Sequence, residues 1–145
     1  MLKWTTIAVL VGAGFAAGAA AQTPAPAALK NPTHEISVSA GDTIYTGTVA
    51  LKVDAGKVTG DMLITVPSQI TGKIAGTSKQ GVMVLEFPYN MVDNGCQGTV
   101  KMNIKMPEKP GVATGTMEAK GCAEDPNQVL PGTVELKPIA AKTTK

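Results

Sequence analysis

The chain has 145 residues and a nearly balanced charge, thirteen basic residues against eleven acidic, for a formal +2 at pH 7. Every basic residue is Lys and aromatics make up only 3%, so the basic stripe, Arg forks and stacking platforms of a nucleic-acid binder are missing. At 43% hydrophobic and 17% charged, the composition excludes wholesale disorder and predicts one folded domain.

Residues 1–21 read as a secretory signal peptide. Lys3 supplies the positive start, Trp4 to Phe15 carries no charge, and Ala19-Ala20-Ala21 offers a small-residue cleavage site before Gln22. The apolar run fades into Gly and Ala short of the ~20 residues that a membrane-spanning helix needs, so no integral membrane segment is expected after cleavage. Residues 22–32 form a Pro/Ala leader expected to be flexible, and residues 138–145 a tail without periodicity that should fray. Residues 33–137 are left as a single β domain, exported to the periplasm or the extracellular space.

Within that domain apolar residues alternate with polar ones at the period of a strand, and seven to eight short strands are predicted. The first, His34 to Ala40, turns at Gly41-Asp42, a Gly-X pair suited to a type II′ hairpin that sets Val38 against Tyr45 and Ile36 against Gly47. The second, Thr43 to Val53, turns through Asp54-Ala-Gly-Lys57 and pairs Val53 with Val58, Leu51 with Gly60 and Val49 with Met62. A shorter strand near Lys73 to Thr77 turns through Ser78-Lys-Gln-Gly81 into Val82 to Phe87. That register sets Ile74 against Leu85 and Lys73 against Glu86. Pro88 to Gly95 reads as a long link, with Asp93-Asn94-Gly95 as its turn. Val100, Met102, Ile104 and Met106 then alternate with polar residues before Pro107 to Gly111 returns the chain through Val112 to Ala119. A final strand is expected around Thr133 to Leu136.

Hairpins in series predict an antiparallel meander closed into a small barrel, with a β-sandwich as the alternative. Gly47, Gly60, Gly76 and Gly115 fall on the apolar face of four strands, where glycine permits the bending that a barrel requires. The outward faces carry Lys, Asp and Glu, and aromatic girdles are missing, which argues against an outer-membrane barrel.

Cys96 and Cys122 are expected to form a disulfide in an oxidising compartment. Pairing them directly would set Met102 against Thr116, whereas the apolar face wants Met102 on Met117 and Val100 on Ala119. A one-residue slip reconciles the two, with a bulge expected at Gly98 or Gly121.

Chemistry is sparse. His34 is the only imidazole, placed at a strand end opposite Val49, and no nucleophile, metal-ligand or nucleotide-binding motif accompanies it. No catalytic, metal or cofactor residue is assigned, and the protein is not read as an enzyme. Six Met follow the signal segment: Met62, Met83, Met91, Met102, Met106 and Met117. Thioethers can bind Cu(I), but five of the six fall at core-facing positions where Met is a flexible gap filler. Three functions remain, in this order: a soluble exported binding or interaction module acting through the barrel mouth or loops; a carrier of a small apolar ligand inside the barrel; and an enzyme of unknown type, which would need His34 beside an acidic residue in a cleft. For the second, Met62, Met102, Met117, Gly47, Gly60 and Gly115 are the expected cavity lining, the glycines leaving space by lacking side chains. A protein partner stays open, and its identity is not legible.

Overall fold

The computed structural model describes residues 28–122 and 125–140. The segment read as a signal peptide, residues 1–21, most of the leader and the last five residues, 141–145, lie outside them.

Each alternating run becomes a strand: β1 (His34–Ala40), β2 (Thr43–Asp54), β3 (Lys57–Val66), β4 (Ile70–Lys79), β5 (Val82–Met91), β6 (Cys96–Lys105), β7 (Ala113–Lys120) and β8 (Leu130–Pro138). Each pairs antiparallel with the next, and β8 returns to β1, so the sheet closes into a barrel without a free edge. β6 shows the physics plainly. Val100, Met102 and Ile104 are buried while Thr99, Lys101, Asn103 and Lys105 are exposed, the two-residue period of a sheet with one wet face. Similar stripes from all eight strands make one core, in which Val49, Val58, Ile104, Val134 and Leu136 are at most 2% exposed. Each such side chain contributes about 1.5–3 kcal/mol by leaving water. No polar side chain is buried among the described residues.

The turns set the registers. Ala40 pairs with Thr43 around Gly41 and Asp42, and positive φ at Gly41 alone (60°) is the type II′ pattern. Ala55-Gly56 (φ 50° and 78°) and Gln80-Gly81 (φ 52° and 77°) each join two strands with positive φ at both positions, as in type I′ turns. The registers of β1 with β2, β2 with β3, and β6 with β7 are those the sequence predicts, including Val49 on Met62 and Met102 on Met117.

Three expectations need correction. β4 and β5 pair two residues away from the predicted register: Gly76, not Ile74, lies opposite Leu85. Lys73 therefore faces Asp61 on β3, with Nζ 2.8 Å from Oδ1, and Glu86 faces Lys101 on β6 at 3.8 Å. The cause is the turn, which is the two-residue Gln80-Gly81 rather than the four-residue Ser78 to Gly81. Pro88 to Gly95 is not a long link either. β5 runs through Pro88 to Met91, pairing with β6 throughout, and the connection is Val92 to Gly95, closed by the Gly95 N–H donating to the Met91 carbonyl at 2.8 Å. Finally, β8 is longer than predicted, since its whole length pairs with β1 or β7.

The outer wall carries the charges. Lys73–Asp61, Lys101–Glu86 and Lys137–Glu35 are directly opposed cross-strand pairs, all exposed, and such pairs contribute little energy. A lipid-facing barrel would show an apolar band there instead. Among the described residues no helix is long and apolar enough to cross a membrane.

Candidate functional site

The glycines on the apolar face make room for backbone rather than for a ligand. A Cβ at Gly115 would fall on the Asn103 carbonyl oxygen and 2.7 Å from the Ile104 Cα. At Gly47 it would meet the Leu63 carbonyl and the Ile64 Cα, and at Gly60 the Ala50 carbonyl. The neighbouring strand coils tightly across each position, and only glycine allows that approach. Gly47, Gly60 and Gly115 consequently do not line the cavity that the barrel does contain.

That cavity, about 190 Å³, lies at the end of the barrel where β1 turns into β2 and β7 leads to β8. Met62, Met102 and Met117 line it, joined by Met91 and by the rings of Tyr45 and Tyr89. Val38, Ile64, Ile70 and Val100 complete the apolar wall, and Lys120, Gln128 and Leu130 stand at its rim. Tyr89, Met91 and Leu130 fall in stretches that read as link or loop, because a proline inside a strand is normally a breaker. Pro88 survives in β5 because the β4–β5 ladder is interrupted beside it, between the Gly72–Tyr89 and Gly76–Leu85 pairs.

Tyr89 is held by its surroundings. Its ring lies over Gly98 on β6, where a Cβ would come 2.6 Å from the ring's Cζ, and its hydroxyl donates to the Lys120 carbonyl at 3.4 Å. Burial, with the nearby Tyr45 adding, raises its phenol above the ordinary value of 10.0. The hydroxyl therefore stays protonated at neutral pH.

The mouth is tethered by the disulfide. Cys96 opens β6 and Cys122 lies two residues past β7, with 5.8 Å between their Cα atoms. The β6–β7 ladder keeps its apolar register up to Thr99–Lys120 and then stops. Gly121, at φ 110°, carries the one-residue offset that brings Cys122 to Cys96. The offset expected at Gly98 or Gly121 thus lies at Gly121, past the end of the ladder rather than as a bulge inside it. Gly121 and Cys122 themselves line the cavity, so the bond fixes the first part of the β7–β8 connection across its opening.

His34 sits at the other end of the barrel, paired with Val49 and Pro138. Its Nδ1 is hydrogen-bonded to the Thr33 hydroxyl at 2.8 Å, and burial lowers its pKa below 6.5. No carboxylate orients it among the described contacts, so nothing there assembles an acid–base pair. No cluster of three or more His, Cys, Asp or Glu side chains occurs among the described residues. The six methionines all belong to the interior: Met62, Met83, Met102 and Met117 are buried, and Met91 and Met106 pack against the core.

A second hollow runs outside the barrel along β3 to β6, between Leu29 and Leu63 on one side and Pro88 and Asn90 on the other. Leu63 points to the outer wall yet is only 5% exposed, a covered position that alternation does not reveal. Comparison with known proteins finds no matching family model, no matching curated protein and no matching solved structure.

Proposed function

We propose that this protein is an exported carrier that holds one small apolar molecule in the mouth of its barrel and performs no chemistry on it. The observation that carries this reading is the methionine-lined cavity itself: enclosed by strands on every side, apolar in depth, polar only at the rim. Sites for small ligands have this construction, a mostly apolar hollow with a few polar groups that orient the occupant. Its volume sets the scale. Benzene occupies an apolar cavity of about 150 Å³, and by that proportion about 190 Å³ accommodates roughly eight non-hydrogen atoms. The disulfide and the charged outer wall are compatible with export, and the signal segment at residues 1–21 supports it.

The interaction-module reading has its own support at the same end, where Ile44, Val66, Val129 and Leu130 are exposed. A partner docking there would cover the mouth and the cavity together.

The test is native mass spectrometry of protein purified from its own host, followed by titration of methyl-labelled methionine with probe molecules of this size. A small adduct lost on denaturation, with probe-induced shifts at the Met62, Met102 and Met117 methyls, is the expected result. No adduct and no shift at those methyls would refute the carrier reading.

A further inference from the structure

The chemistry of the lining narrows the class of ligand, and the narrowing rests on the carrier reading. Four thioethers, Met62, Met91, Met102 and Met117, converge from β3, β5, β6 and β7 on a space shared with two phenol rings, Tyr45 and Tyr89. Met102 and Met117 are direct cross-strand neighbours. The remaining aromatic of the domain, Phe87, is only 2% exposed and occupied elsewhere, its ring lying over Gly72. Thioether sulfur is polarisable and favours aromatic rings, and aromatic rings favour one another edge-to-face or offset. An aliphatic lining of the same volume would make no such distinction. Methionine is also unbranched, so several of them conform around a flat object.

The polar groups add one more requirement. Among the described residues Lys120 is the only charged lining side chain, and it stands exposed at the rim. A charged ligand group placed deeper would be buried without a partner, which is strongly unfavourable. The Tyr89 hydroxyl, by contrast, is fixed at the mouth by its packing on Gly98 and its bond to the Lys120 carbonyl, and its oxygen retains the capacity to accept.

We infer that the preferred occupant is a neutral, planar aromatic molecule of about eight non-hydrogen atoms bearing a single hydroxyl, the phenol class. Its ring lies among the methionine sulfurs and its hydroxyl faces the barrel mouth, donating to Tyr89.

The experiment uses the disulfide-intact protein and two probes of equal heavy-atom number, para-cresol and 4-methylcyclohexanol, with toluene as the probe lacking a hydroxyl. Para-cresol is expected to bind about fivefold more tightly than 4-methylcyclohexanol, consistent with the size of sulfur–aromatic contacts. It should also shift the methionine methyls upfield by its ring current. In Met102→Leu/Met117→Leu, a volume-conserving change, both probes should still bind and the ratio should fall toward one. Tyr89→Phe should weaken para-cresol and leave toluene unchanged. If the double variant does not fold, Met91→Leu at the half-buried rim repeats the comparison, with a smaller fall in the ratio expected. Equal binding of para-cresol and 4-methylcyclohexanol would overturn this inference and leave the carrier reading standing, as would a ratio unaffected by removal of the sulfurs. Failure of all three probes to bind overturns both.

Discussion

Gly115→Ala decides between two physical roles for glycine, because they predict opposite signs. If the missing side chain left empty space, a methyl group would fill it and raise stability. In the structure that methyl group falls on the Asn103 carbonyl oxygen, 2.7 Å from the Ile104 Cα and 2.9 Å from the Asn103 carbonyl carbon. Those atoms are backbone of the β6 segment that pairs with β7, so no side-chain rotation relieves the contact and the ladder itself must move. Overpacking of this kind costs typically about 1–3 kcal/mol. Loss of glycine's freedom in the unfolded chain offsets about 0.4–1 kcal/mol. A net destabilisation of about 1–2 kcal/mol follows, and for a domain of this size that lowers the melting temperature by roughly 4–9 °C. Gly111 is the control. It lies in the β6–β7 connection, and a Cβ there would meet nothing nearer than the Lys109 carbonyl at 3.8 Å. Gly111→Ala should be neutral or slightly stabilising. Thermal unfolding followed by far-ultraviolet circular dichroism measures both variants, and a Gly115→Ala protein as stable as the parent would refute the close-approach argument.

Reducing the Cys96–Cys122 bond opens a loop with a sequence separation of 26, worth about 3.5 kcal/mol by chain-entropy arithmetic. A fall of roughly 15 °C in melting temperature is expected, and an unchanged melting curve in reductant would show that the bond contributes no stability. The His34 pKa is lowered by burial, so the unfolded imidazole takes up its proton near pH 6.5 while the folded one does so only at lower pH. Stability is therefore full above that value and declines as pH falls through the window between the two. The decline should vanish in His34→Gln, and an equal decline in the variant would assign it to other groups.

The registers that are legible in the sequence are those a turn and a face fix together. Gly41-Asp42 and Ala55-Gly56 each allow one short hairpin, and in both the apolar residues then fall on one face. β4 and β5 show where this stops. A slip by two residues keeps every side chain on its own face, so alternation accepts Ile74 or Gly76 opposite Leu85 equally. Only the turn discriminates, and the glutamine at position 80 gives a weaker signal for positive φ than glycine or asparagine does. Barrel closure was legible in part, through glycines whose role is backbone approach rather than vacancy. At the site, Met62, Met102 and Met117 follow from alternation alone. Tyr89 and Met91 do not, because Pro88 hides the strand that carries them.

The two ends of the barrel differ for a reason that begins in the turns. At the end bearing Asp54 and Lys79, two tight hairpins with positive φ at both central residues hold four strands together, and neighbouring turns are tied by backbone bonds from Ser78 to Gly56 and from Met106 to Gly81, each 2.8 Å. Val58, Met83, Ile104, Ala113 and Leu136 fill the interior behind them, all at most 2% exposed. At the other end one tight hairpin, Gly41-Asp42, stands beside the longer connections Pro67 to Gln69, Val92 to Gly95 and that between β7 and β8. The first two of these longer connections are tied to each other, the Val92 N–H donating to the Gln69 carbonyl at 2.9 Å and the Gln69 N–H to the Asp93 carboxylate at 3.3 Å. In the third, the Asp125 carboxylate accepts from the Asn127 N–H at 2.9 Å and its carbonyl from the Gln128 N–H at 3.0 Å, bonds inside the connection itself. The disulfide ties the start of that connection to β6. The cavity lies at the end where the tethered β7–β8 connection crosses the barrel, and a covalent tether preserves that mouth without filling it. The same arrangement makes the carrier reading and the stability of the fold separable: reduction should loosen the rim around Gln128 and Leu130 while leaving the packed end around Ile104 and Leu136 intact.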